Sequence, residues 1–144
     1  MKDFNKVLVA VDGSDAAIRA ARTGARLADT MEVPLVLLHV FPMVTDDTSG
    51  ALGFGPEALE QAREQSARKA FDDVLAQISE RSEKPEEVAL IGDPAEEIIE
   101  WLDDAQDILL VMGRRGQSKI GSLLLGSVSD KVVRHTHTPV TVVS

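Results

Sequence analysis

The chain has 144 residues, 44% of them hydrophobic and 27% charged, which is ordinary globular composition and enough length for one sizeable core, so a single domain over 1–144 is expected. Fifteen Lys and Arg against 24 Asp and Glu give a net charge of −9, which argues against nucleic acid or an anionic membrane surface as partner. There is no cysteine, which excludes disulfides and thiolate chemistry, and His39, His135 and His137 make no zinc-type cluster.

Residues 6–11, Lys6-Val7-Leu8-Val9-Ala10-Val11, are a continuous apolar run with β-branched members, the pattern of a strand buried on both faces. No basic-then-apolar leader precedes it and no apolar run approaches about 18 residues, so the expected location is cytoplasmic. Asp12-Gly13-Ser14-Asp15 ends the strand. Residues 16–28 then place Ala17, Ala20, Ala21, Gly24 and Leu27 on one side of a helix and Arg19, Arg22 and Arg26 on the other. A second buried-strand pattern covers 34–40, and the β-α-β order implies a parallel sheet with right-handed crossovers. Residues 41–55 hold Pro42, two Asp, two Thr and three Gly and read as a long loop.

Pro56 starts a helix predicted to run to about residue 81, with Leu59, Ala62, Ala70, Phe71, Val74, Leu75 and Ile78 at helical spacing. A short strand over 87–92 leads to Asp93-Pro94-Ala95-Glu96, which reads as an N-cap, a proline at the first helical position and an acid in the first turn. The helix 94–102 turns Ile98, Ile99 and Leu102 inward. A fourth strand is predicted over 107–112, a last helix over 127–135 and a terminal strand over 140–143. Five parallel strands with intervening helices make a doubly wound α/β domain with helices on both faces, in which ligands bind outside the carboxyl ends of the strands where the winding reverses.

The stretch with the most chemistry follows the fourth strand. Gly113-Arg114-Arg115-Gly116 continues through Gln117, Lys119 and Gly121 to Gly126-Ser127, a strand, a glycine-punctuated loop and a helix start. Glycines let backbone N–H groups approach a ligand, and the N–H groups and dipole of a helix start favour negative charge, so the arrangement suits phosphate. Gly121 and Gly126 have P-loop spacing, but Ser127 stands where that motif needs lysine, and no G-x-G-x-x-G follows a strand. Residues 113–144 carry a balance of +4 and residues 1–112 one of −13, so the only basic part of the chain is this one. A packing explanation also exists: Gly113 ending a strand, Gly116 in a turn, and Ser127 as N-cap of a Ser127-Val128-Ser129-Asp130 capping pattern.

The spacing Gly113-x2-Gly116-x9-Gly126-Ser127 resembles the ATP-binding branch of the universal stress protein family, whose motif is G-x2-G-x9-G followed by Ser or Thr, and the rest of the chain agrees from end to end. The resemblance implies an adenine nucleotide alpha hydrolase-like fold with strand order 3-2-1-4-5. That order brings Ala10, Val11 and Asp12, then His39 and Val40, then Met112 and Gly113, to one place. The resemblance further implies ATP, or ADP or AMP, as ligand. Asp12 would contact the nucleoside, Val40 would offer its backbone to the adenine edge, and Gly113, Gly116, Gly126, Ser127, Val128 and Ser129 would hold phosphates. From the residues alone the Asp12 carboxylate, where a strand hands over to a helix, can accept from ribose hydroxyls or help hold a metal, with an N-cap or Asx-turn as the alternative, and Val40 is only a core strand residue. Arg114 and Arg115 read either as phosphate partners or as solvent-facing. An acidic chain is expected to need magnesium for a triphosphate, its ligands beyond Asp12 being open.

His39 reads as a strand residue, His135 and His137 as the close of the last helix, and Trp101 as packing. No nucleophile–base pair and no paired carboxylates are evident, so a catalytic centre is not assigned. Binding is the expected function: a nucleotide-dependent regulatory or stress-response module, with a regulatory protein as a possible partner. The alternatives are a slow ATPase or adenylate-transfer enzyme and a nucleotide-free interaction protein. The unguarded, β-branched strand 140–143 is expected at a sheet edge, where a two-fold homodimer would form, as is frequent in the family resembled.

Overall fold

The computed structural model describes residues 4–43, 55–114 and 125–144. In chain order the elements are β1 (Lys6–Ala10), α1 (Asp15–Met31), β2 (Leu35–Pro42), α2 (Pro56–Gln77), β3 (Glu86–Gly92), α3 (Pro94–Asp103), β4 (Ile108–Gly113), α4 (Ser127–His135) and β5 (Val140–Val143). The strands form one parallel sheet in the order β3-β2-β1-β4-β5. From β1 the chain winds outward to β2 and β3, then returns across the sheet to β4 and β5, so the winding reverses between β1 and β4.

The unbroken apolar runs of the central strands have a simple origin. With a side-chain period of two, alternate residues face opposite layers, and both layers are covered. Val7 and Val9 of β1 and Val11 just after it pack with Leu35 and Leu37 against Ala17, Ala20, Ala21, Ala25 and Ala28 of α1 and Ala67, Ala70, Phe71 and Val74 of α2. Leu8 packs instead with Leu38, Val40, Leu110 and Met112 against Ala95, Ile98 and Leu102 of α3 and Val132 of α4. Each such Val or Leu contributes about 1.5–3 kcal/mol on burial, whereas an exposed ion pair contributes about 0–1 kcal/mol, so the apolar pattern and not the surface charge positions the sheet. Small residues bring α1 close: a Cβ on Gly24 would lie 2.5 Å from Val9 Cγ2.

Element boundaries shift where tertiary contacts override local signals. β2 runs on to Pro42 because Phe41 and Pro42 pair with Ile91 and Gly92, and Met43 N–H donates to Gly92 O at 3.0 Å. α1 continues to Met31, closed by Glu32 in the left-handed region (φ 56°) with its N–H on Ala28 and Asp29 carbonyls. α2 stops at Gln77, short of the predicted 81; Arg81 N–H turns back to Ile78 O at 3.2 Å and its Nε donates to Asp29 of α1 at 2.9 Å. Trp101 is half-buried and packs with the α3–α4 layer.

Candidate functional site

At the carboxyl ends of β1, β2 and β4 lies a cavity of about 330 Å³, within the roughly 300–1,000 Å³ range of small-molecule sites. It is lined by Ala10 at the end of β1 and Val11, Asp12 and Ser14 after it, by His39 and Val40 of β2, by Met112 and Gly113 of β4, and by Gly126, Ser127, Val128 and Ser129 at the start of α4. Ser66 of α2 and Pro94 and Ile98 of α3 also line it. This is the place of winding reversal, where diverging crossovers leave a crevice.

The β1–α1 turn is built by Gly13 (φ 87°), a conformation that a side chain disfavours, and by Asp12, whose Oδ1 accepts from Ser14 N–H at 3.0 Å and from the Ser14 hydroxyl. Ser14, not Asp12, is the N-cap of α1, its Oγ accepting from Ala17 N–H at 3.1 Å. Asp12 thus forms an Asx-turn at the rim.

Two buried polar side chains face the cavity, His39 (5% exposed) and Ser129 (3%), and each donates to the carbonyl at the end of a strand. Ser129 Oγ donates to Gly113 O at 2.8 Å, tying α4 to β4. His39 Nδ1 lies 2.6 Å from Val11 O and Nε2 2.7 Å from Ser66 Oγ. A carbonyl only accepts, so Nδ1 carries a proton; with a single proton on the ring, Nε2 accepts from the Ser66 hydroxyl. Phe71 stands edge-on to the imidazole, 6.3 Å between centroids.

Val40 takes on significance through strand parity. In a parallel strand the N–H and C=O of one residue point to one neighbour, and those of the next residue to the other. Pro34 O and Leu38 O accept from Val7 and Val11 of the β1 side, so even-numbered β2 residues face β1; Met43 N–H reaches Gly92, so odd-numbered ones face β3. Val40 therefore turns its N–H and C=O toward β1, one step beyond the last β1–β2 bond at Val11 N–H, and so toward the cavity. Pro42, also even, lacks an N–H on the side where no strand pairs.

At the other end, Gly126 N–H donates to Arg114 O at 2.8 Å and Arg114 N–H to Val143 O at 2.7 Å, which closes the neck of the glycine loop. Residues 115–124 themselves, with Arg115, Gly116, Lys119 and Gly121, lie outside the described residues. Gly126 rather than Ser127 is the N-cap of α4 and makes no side-chain cap, so the alternative Ser127 capping pattern is not formed; a residue without a side chain offers nothing to accept there. Ser127, Val128 and Ser129 of the first helical turn line the cavity, and the N-cap supplies no side-chain cap to their N–H groups. Gly113 has a packing reason for its identity: its φ is not positive, and a Cβ there would lie 2.9 Å from Ala16 Cβ and 3.0 Å from Ala16 C.

The basic C-terminal part is less directed at the cavity than its net charge suggests. Lys131 pairs with Glu96 at 3.2 Å and Asp93 at 3.7 Å, and the Glu96 hydrogen bond holds its ammonium above the ordinary lysine value. Arg134 pairs with Asp130 on its own helix at 2.8 Å. Among the described residues no group of three or more His, Asp or Glu converges to hold a metal ion.

Every predicted site residue within the described residues thus lines one cavity, except Arg114, whose backbone joins the neck. Sequence reasoning missed Ser14, Ser66, Pro94 and Ile98 as lining residues, and treated His39 as a plain strand residue. For Ser66 a signal existed: it precedes buried Ala70 and Val74 at successive four-residue steps and so belongs to the inward face of α2.

Fold and cavity together define a doubly wound α/β protein with a ligand crevice at its topological switch point. Comparison with known proteins carries this further: the model of the universal stress protein family matches residues 3–144, and the chain belongs to that family. It is 32% identical over 146 residues to universal stress protein YxiE of Bacillus subtilis, spanning 97% of this chain and 99% of the relative. Among solved structures, UspA of Lactobacillus plantarum matches with a TM-score of 0.78 at 22% identity over 98% of both chains. A universal stress protein in complex with cAMP matches with a TM-score of 0.68 at 28% identity, over 99% of this chain and 98% of that one. No described helix is long and apolar enough to cross a membrane.

Proposed function

We propose that the cavity binds an adenine nucleotide, ATP or its di- or monophosphate, and that occupancy sets the conformation or partner affinity of a cytoplasmic regulatory protein. The observation that carries this reading is the meeting of the Val40 backbone edge with the first turn of α4, which has no side-chain cap, across one cavity. An adenine edge fits the first and phosphate the second. The similar protein bound to cAMP supports the same ligand class. Asp12 would take ribose hydroxyls or, with phosphate oxygens, magnesium; Gly113, Gly126, Ser127, Val128 and Ser129 would hold the phosphates, as in the ATP-binding branch of the family.

Mass spectrometry of protein purified without added ligand, followed by titration with ATP, ADP and adenosine with and without magnesium, tests this directly. A bound adenine nucleotide, or titration to a saturable one-to-one complex, is the expected outcome. Protein that carries no nucleotide and binds none at millimolar concentration refutes it, and steady release of ADP would move the reading to an ATPase.

Self-association through β5 belongs to the same proposal. The opposite edge, β3, is guarded: Arg63 donates to Ala89 O at 2.8 Å, and Arg68 pairs with Glu87 at 2.9 Å. On β5 the N–H and C=O groups of Val140 and Val142 point outward, since Pro139 and Val143 carbonyls take the bonds from β4, and Val142 is 37% exposed. A two-fold copy of the strand would satisfy them.

A further inference from the structure

We propose that His39 is a positioning residue that sets the base specificity of this cavity by withholding Val11 O from the β1–β2 ladder. The inference rests on the adenine-nucleotide reading and adds to it the group that keeps the recognition edge open. Continuing the ladder by one step would send Val40 N–H to Val11 O. That acceptor is instead engaged by His39 Nδ1 at 2.6 Å, from a ring fixed by Ser66 at 2.7 Å and by the edge contact with Phe71. The side chain of one β2 residue thus takes the bond that the backbone of the next would make. Val40 is left presenting one donor and one acceptor side by side at a buried position, 7% exposed, two residues before the end of β2.

That pair has a definite complement. Adenine offers an N1 acceptor beside an N6 amino donor, matching Val40 N–H and C=O in one register; guanine offers an N1–H donor beside an O6 acceptor, so donor meets donor and acceptor meets acceptor. A buried backbone group left facing its own kind is strongly disfavoured, so a site of this form rejects the wrong edge effectively. Ser66 extends the arrangement into α2.

The test compares His39→Asn, whose amide nitrogen occupies the place of Nδ1 and keeps the donor, with His39→Leu, of similar shape and without it. Two measurements are made on each and on the unmutated protein: the through-hydrogen-bond scalar coupling from Val40 N to Val11 C′ by NMR without nucleotide, and calorimetric affinities for adenosine and guanosine. The coupling is expected to be absent in wild type and His39→Asn and present in His39→Leu. Adenosine affinity should fall about tenfold or more in the leucine variant only, with the preference over guanosine lost. A Val40–Val11 coupling in the wild type overturns the proposal without recourse to any variant. So do indistinguishable asparagine and leucine variants. If adenosine fails to bind even the wild type, the functional reading falls, and the coupling alone still decides the role of His39.

Discussion

Gly113→Ala separates two reasons for the first glycine of the motif. If glycine is present so that backbone N–H groups can approach phosphate, the methyl should harm binding and leave the nucleotide-free protein as stable as before. The packing indicates otherwise. A Cβ at this position sits 2.9 Å from Ala16 Cβ, 3.0 Å from Ala16 C and 3.2 Å from Ala16 O, and two of those atoms are backbone, which no rotamer change can move aside. The first turn of α1 must therefore shift by a few tenths of an ångström, with overpacking costing about 1–3 kcal/mol. Because φ is not positive there, alanine also recovers about 0.5–1 kcal/mol by stiffening the unfolded chain. From the centres of the two ranges the net expectation is a loss of about 1 kcal/mol. With a urea slope of about 2 kcal/mol per molar, the unfolding midpoint should drop by roughly 0.5 M. The assay is equilibrium urea unfolding of nucleotide-free protein followed by fluorescence of Trp101. An unchanged midpoint would refute the packing argument, and weakened ATP binding in that same protein would restore the phosphate explanation.

Gly116→Val, within the loop outside the described residues, is expected to lower ATP affinity about tenfold, near 1.4 kcal/mol, with the fold intact; calorimetry showing unchanged affinity would remove the loop from the phosphate site. Val142→Lys should convert a dimer to a folded monomer by light scattering, and a wild type already monomeric at micromolar concentration ends the edge-strand proposal. Glu97, packed over Gly92 and surrounded by Glu100, Glu96 and Asp93, has its carboxyl raised above the usual glutamate range, first by burial and then by those acids. A raised carboxyl favours the folded state at low pH, and that contribution disappears as pH climbs from the unfolded to the folded value. Glu97→Gln should accordingly raise the melting temperature at pH 7 and not at pH 4; an equal effect at both would contradict the assignment.

The strands and helices of this protein are local facts. An apolar, β-branched run long enough for one strand, cut by Asp12-Gly13 or Asp93-Pro94, has few other uses, because its backbone must pair and both its faces must be covered. The Asp93 cap forms as its residue type dictates, accepting from Glu96 N–H at 3.0 Å. The strand order followed from the family resemblance, and with it the neighbourhood of Asp12, Val40 and Gly113. What tertiary structure alone decided was which groups those neighbours would use. Nothing in Leu38-His39-Val40 announces that an imidazole will bond to Val11 O, because that depends on where β1 turns away and where Ser66 of α2 stands. The charge balance of residues 113–144 was likewise legible as a number, yet Lys131 spends its charge on α3 acids brought alongside by the crossover. Local signals determine elements because backbone geometry is settled within a few residues. Hydrogen-bond partners at strand ends are settled by which chain segments arrive there, and that is a property of the folded whole.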